Sequence, residues 1–274
     1  MNRLGLIAQS ERVPPTGGKL EGASPLTGHL GLPALLVREA VQNAWDARDD
    51  DRGDCPVLFT IDGWDLDDDR LDDLRALMPV EHLEGFSRTT DGDPGLGVLH
   101  PGAVLRRQRV RVLVVSDRGT VGLCGPTRSG LRWDPVRSGR PLPRGQQRFA
   151  NFVRNMGRAA RDIGHGDGGA YGVGKSALWM ASECGTILVH TRTTDEQGQP
   201  VERFIGVVYG EVFDGDDGVQ YTGRHFIGAR AADDVIEPLT GQAAAAAAEV
   251  LPLPPYPLDD EPVYGTSIVI VAPR

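Results

Sequence analysis

Lysine is almost absent from this chain: of its 29 basic residues only Lys19 and Lys175 are lysines. An arginine bias that strong makes each surviving lysine worth following. Cysteine is scarce too. Cys55, Cys124 and Cys184 are odd in number and widely spaced, which argues against a disulfide framework and a zinc site. No apolar run approaches the roughly 20 residues that a membrane-spanning helix needs, so no membrane partner is expected. Met1 to Ser10 is too short and broken for a secretory leader, and a reduced, cytoplasmic protein is the expectation. No internal repeat is visible.

A hydrophobic content of 40% over 274 residues can build a core, as one large domain or one domain with sizeable insertions. The net charge of −9 hides a segregation. Residues 46–93 carry 16 acidic against 5 basic side chains, whereas 106–161 is rich in arginine with only Asp117 and Asp134 as acids. The two segments either neutralise each other in the fold or leave a basic surface for phosphates or nucleic acid.

The stretch from Pro33 to Arg48 reads as a helix, with proline in its first turn and an acidic run with Gly53 after its end. At about 100° per residue, Glu39, Asn43 and Asp46 stack on one face, with the small Ala47 beside them. Leu36, Val37, Ala40, Val41, Ala44 and Trp45 are expected to cover the core side. A solvated stripe is the plain reading of that polar face, yet it holds no Lys or Arg.

Residues 1–32 read as an arm, with Leu4 to Ala8 resembling a strand, and 33–274 as the domain proper. Strands are expected at Pro56–Ile61, Val110–Val115, Thr186–Thr193, Arg203–Phe213, Val219–Ile227 and Ser267–Val271. Asp67–Leu83 reads as an acidic helix with Leu71, Leu74, Leu77 and Met78 inward. Gln146–Ile163 has helical period and carries Arg154, Arg158 and Arg161 as a second stripe, the candidate contact for nucleic acid. It closes a long Arg-rich lid or insertion at about 123–165.

Two constellations carry chemistry. Val110–Val115 runs into Ser116-Asp117-Arg118-Gly119-Thr120-Val121-Gly122, an acid and glycines at a strand end, suited to ligand contact or to a plain turn. Farther on, Gly166 to Ala177 is a glycine loop that opens a helix. Within it, Gly169–Ser176 satisfies the P-loop pattern, which requires a buried strand running straight into the loop. The preceding segment has helical period instead, so the P-loop stays an alternative.

Taken together, Glu39-x-x-x-Asn43-x-x-Asp46-Ala47, Asp117-x-Gly119, Gly168–Ala177 around Tyr171-Gly172-Val173-Gly174, and Gly265-Thr266 stand in the order of four motifs. In this the chain resembles the GHKL superfamily, the ATP-binding domain of gyrase, MutL, MORC proteins, heat-shock chaperones and histidine kinases. The second motif departs from the usual spacing, since the next glycine is Gly122, one place late. The resemblance implies an α/β fold, a two-layer sandwich of a mixed, largely antiparallel sheet with helices on one face (the Bergerat fold). It implies Mg²⁺-dependent ATP binding and slow hydrolysis, used as a conformational or dimerisation switch, nearer to the gyrase, MutL and MORC members. A module that binds nucleotide without hydrolysis is the competing class.

The chemistry asked of each position is simple. Glu39, one turn from a Mg²⁺-binding Asn43, can orient and deprotonate a water beside a terminal phosphate. Asp46 and Ala47 would belong to the same polar shell. Asp117 would accept from the exocyclic amine of adenine, Gly119 would admit the base, and Gly122 would lie toward the ribose. Gly172, Val173, Gly174 and Ser176 would offer N–H groups at a helix N-terminus, with Lys175 as a movable charge. Thr266 would brace Asp117.

Overall fold

Apolar runs without alternation decide the architecture. Val112–Val115, Ile187–Val189 and Ile268–Val271 have no polar face to offer water, the mark of strands buried on both sides. The structure, a computed structural model, describes residues 4–12, 31–49, 56–86, 98–128, 147–154, 173–195, 197–256 and 263–274. Its strands are β1 (Ile7–Arg12), β2 (Leu58–Asp67), β3 (Arg109–Arg118), β4 (Thr186–Thr194), β5 (Pro200–Tyr209), β6 (Phe213–Asp214), β7 (Gln220–Arg230), β8 (Ile236–Glu237), β9 (Leu239–Thr240) and β10 (Gly265–Val271). The helices are α1 (Leu32–Asp46), α2 (Asp68–Leu77), α3 (Pro101–Leu105), α4 (Val173–Met180) and α5 (Gly241–Glu249).

The strands form one ten-stranded sheet in the order β1-β7-β5-β4-β10-β3-β2, with β6 and β8 on β7 and β9 on β5. Every pairing among the described strands is antiparallel. On one face Val110, Val112, Val114, Leu188, Phe204 and Val269 meet Leu71, Leu74 and Leu77 of α2, Val104 of α3, and Ala244 and Ala247 of α5. On the other, Val115, Ile187, Val189, Ile205 and Ile270 meet Leu35, Leu36 and Ala40 of α1 and Ala177, Leu178 and Trp179 of α4. The expected two-layer sandwich with helices on one face is therefore overturned. A large antiparallel sheet dominates and few helices accompany it, divided between its two faces. The reason lies in the strands, whose alternate residues are apolar on both sides, so neither face can be left to water.

The first helix turns a different side to the core than its pattern suggests. Leu35, Leu36, Ala40 and Ala44 are buried, but Val37 and Val41 are each 44% exposed and Trp45 is 61% exposed. The inward arc runs from Leu35 to Ala44 through Asn43, leaving Glu39 and Asn43 half-buried and Asp46 exposed. Trp45 is covered on one side by the Arg48 guanidinium, 4.9 Å from the ring centre. Within the N-terminal residues expected to form an arm, 7–12 pack on the domain, β1 being an edge strand paired with β7.

Charge segregation is partly resolved by register. Asp67 and Asp65 of β2 face Arg109 and Arg111 of β3 across the ladder and pair with them at 3.3 and 2.8 Å. These pairs are solvent-exposed and worth little each. Among the described residues no helix is long and apolar enough to cross a membrane.

At the β1–β7 edge, the buried His225 ring takes or gives a bond with the Ser10 hydroxyl at 2.8 Å, under the Phe86 ring. Burial first, then the charges of His100 and His82, depress its pKa from 6.5 to about 4. A histidine depressed in the fold stabilises fully above its unfolded value and loses that contribution as pH falls from 6.5 toward 4. His225→Gln should therefore flatten the fall in melting temperature across that window, as read by thermal melts at a series of pH values. The packing carries a second expectation. Leu74→Ala in α2 should cost roughly 2–5 kcal/mol, while Val41→Ser on the outer side of α1 should stay within about 0.5 kcal/mol. Denaturant unfolding of both variants checks this, and a large loss from Val41→Ser would refute the orientation of α1.

Candidate functional site

The site begins where β3 runs out of apolar residues. After Val115 the strand continues as Ser116, Asp117 and Arg118, and Gly119 turns it at φ 76°. Asp117 is half-buried, and its Oδ1 accepts from the Thr120 hydroxyl and from the Thr266 backbone N–H at 3.1 Å. Among the described residues no hydrogen bond reaches Oδ2. Thr266 pairs with Asp117 in the β10–β3 ladder and with Thr191 in the β10–β4 ladder. Its hydroxyl meets that of Thr191 at 3.2 Å. A Cβ on Gly265 would strike the Asp117 carbonyl, so only glycine lets β10 begin so close to this strand end. Burial pushes the Asp117 carboxyl above its ordinary range, against the bonds from Thr120 and Thr266 and the charges of Arg118 and Arg148, which lower it.

The end of α1 is fastened to the same turn. Val121 N–H donates to the Ala47 carbonyl at 2.8 Å, and Arg48 pairs with Thr120 as an isolated bridge. Arg148 donates from Nη2 to the Asp46 carbonyl, satisfying an orphan group at the helix end with a cation, where the helix dipole favours one. Asp46, Ala47, Asp117, Gly119 and Thr266 thus come together, although they lie up to 220 residues apart in sequence.

Glu39 and Asn43 stand one to two turns back along α1 from this junction. Glu39 pairs with Arg38 at 2.7 Å, an exposed cation of low energetic weight. Asn43 lies in the inward arc, and among the described residues its side-chain amide makes no bond. At φ 63° Gly122 packs back onto β4, where a side chain would meet the Arg192 carbonyl and the Thr191 hydroxyl. Its glycine has a structural reason.

Gly172 lies outside the described residues, as does the loop before it. Val173, Gly174, Lys175 and Ser176 open α4, but nothing is described of their side chains. Before α4, the last described segment is a single π-helical turn, Ala150–Arg154. Arg154 corrects the expected nucleic-acid stripe. It is turned inward, donating to the Thr127 and Ile236 carbonyls and stacking on Phe226 at 4.3 Å. Arg158 and Arg161 lie outside the described residues.

Sequence reasoning passed over Thr120, Thr191, Arg148 and the back of the strand end. There Arg118 is buried, bonded to the Pro254 carbonyl and the Ser267 hydroxyl, and stacked on Tyr256 at 3.8 Å. Thr120 had a signal, since a hydroxyl three residues after an Asp at a strand end commonly closes a turn. Thr191 and Arg148 had none, because only strand register and tertiary docking bring them here. Among the described residues no group of three His, Cys, Asp or Glu side chains is placed to hold a metal ion. Compared with protein-family models, curated proteins and solved structures, the chain matches none.

The raised Asp117 pKa has a measurable consequence. A carboxyl raised in the fold favours folding in its neutral form, so its contribution is present below the unfolded value of about 4 and is lost as pH rises through the folded one. At pH 7 the ionised group is therefore a cost. Asp117→Asn keeps an acceptor for Thr120 and Thr266 and should melt at or above the unmutated protein at pH 7, with the difference shrinking on acidification. A variant melting lower at every pH would show that ionised Asp117 stabilises the fold.

Proposed function

We propose that this chain binds a Mg²⁺–adenine nucleotide between α1 and the strand ends around Asp117, and hydrolyses it slowly as a conformational switch. The observation that carries the reading is the junction itself. A half-buried carboxylate with one oxygen tied and, among the described residues, no hydrogen bond to the other stands at the end of a helix that carries the half-buried Asn43 and Glu39 one to two turns back. Half-buried polar groups with hydrogen-bonding capacity to spare are what a ligand can engage. The resemblance to the GHKL motifs supports the same assignment through residues, independently of the two-layer architecture, which the chain does not have.

In this reading Asp117 Oδ2 accepts from the adenine amine and Gly119 gives the base room. Asn43 offers its amide oxygen to Mg²⁺, an ion that binds few protein ligands alongside substrate phosphates and water. The ion would neutralise charge on those phosphates. Glu39 holds and deprotonates the attacking water. The Gly172–Ser176 segment with Lys175 cradles phosphate from the start of α4. Dimerisation on nucleotide binding belongs to the proposal, as does a reduced cytoplasmic setting.

Binding of ATP and GTP, each with and without Mg²⁺, tests the core of this reading. ATP should bind more tightly than GTP, and Mg²⁺ should strengthen ATP binding in the unmutated protein but not in Asn43→Ala. Glu39→Ala should retain ATP yet lose about 10²–10⁴-fold in turnover. Equal affinity for the two nucleotides would remove Asp117 from base recognition and favour the P-loop alternative. There Lys175→Ala would abolish binding and Glu39→Ala would do nothing. Binding without measurable turnover in the unmutated protein would leave the docking module.

A further inference from the structure

Two complementary groups in the candidate site fail to satisfy each other. Among the described residues, both hydrogen bonds to the Asp117 carboxyl land on Oδ1, from Thr120 and Thr266. Arg148 is half-buried, its Nη2 tied to the Asp46 carbonyl, and its Nε is buried with no hydrogen-bond partner. The two side chains form no ion pair, although Arg148 holds the end of α1 whose Ala47 carbonyl is bonded to the turn that Asp117 closes. Each is held back by its own anchor. Asp117 is tied to β10 and to its own turn. Arg148 is tied to the end of α1, and its neighbour Phe149 is fixed by a backbone bond to the Cys124 carbonyl at 3.1 Å. A carboxylate oxygen and a guanidinium N–H thus belong to one junction without bonding to each other.

A buried N–H without a partner costs free energy that a ligand acceptor can return. The adenine edge offers the matching pattern, a donor amine flanked by ring nitrogens that accept, whereas guanine places the O6 acceptor where the amine would be. We propose that Arg148 is a specificity-determining residue of this site: Asp117 Oδ2 accepts from the exocyclic amine while Arg148 Nε donates to an adjacent ring nitrogen. The inference rests on the adenine-nucleotide reading and adds to it a second contact, from a residue outside the four motifs.

Analogues of ATP separate the two contacts. The full chain is titrated with ATP, with the triphosphate of purine riboside (which lacks the amine), and with 1-deaza-ATP and 7-deaza-ATP (each lacking one ring nitrogen). In the unmutated protein one deaza analogue should bind about tenfold or more weaker than ATP, as expected for a lost bond to a charged group. In Arg148→Met that difference should vanish while the penalty for losing the amine remains. Arg148→Lys keeps the cation near the Asp46 carbonyl and should melt like the unmutated protein, yet lose the same discrimination. If Arg148→Met does not fold, the analogue series on the unmutated protein still decides. Both deaza analogues binding as tightly as ATP, or persistent discrimination in Arg148→Met, overturns the role of Arg148 alone. No binding of any adenine nucleotide overturns the parent reading with it.

Discussion

One carboxylate oxygen organises the end of the sheet. Oδ1 of Asp117 takes a hydroxyl from its own turn and an N–H from β10, joining segments 149 residues apart. The turn it closes carries Thr120 and Val121, which hold the last residues of α1. The β10 start it receives is fixed in turn to β4 by the Thr191 hydroxyl, which donates to the Gly265 carbonyl at 3.0 Å. Remove that acceptor and three elements lose their common point. The burial needed to make it pushes the carboxyl above its ordinary range.

That local cost is carried by the sheet behind it. With apolar side chains on both faces of β3, β4 and β10, the central strands lie between two cores. Interdigitated packing on both sides leaves little freedom for backbone movement, so the strand ends present fixed donors and acceptors. The polar residues gather where the apolar runs stop, at one end of the sheet: Thr120 donates to the Asp117 carboxyl, Thr191 bonds Thr266 and donates to the Gly265 carbonyl, and Thr193 donates to the Val121 carbonyl. A rigid platform with short polar side chains at its rim suits recognition of a flat ligand edge.

Much of this was legible in residues alone. Runs such as Val112–Val115 announce strands, and the spacing of Leu71, Leu74 and Leu77 announces α2 with its inner face correct. Layering was harder, because an apolar run does not say what will cover each side. The face of α1 was misread for a related reason. Val37, Val41 and Trp45 are apolar at helical spacing and so are Leu36, Ala40 and Ala44, and two apolar stripes on one helix leave the choice to whatever packs beside it. Arg154 was misread likewise, since periodicity places it on a polar stripe while the Thr127 and Ile236 carbonyls draw it inward.

The chain by itself determined the apolar centres of its long strands, the helices α1 and α2, the acid at the end of β3 and the glycines beside it. These follow from local chemistry: hydrophobic period, turn residues and the backbone freedom of glycine at positive φ. Only the tertiary structure decided that helices lie on both faces, that Glu39 and Asn43 are half-buried while Val37 and Val41 are exposed, and that Thr120 bonds Asp117 while Arg148 holds the end of α1. Those outcomes depend on strand register and on which apolar stripe finds a partner. Both are set by contacts between residues far apart in sequence, where no local pattern carries the information.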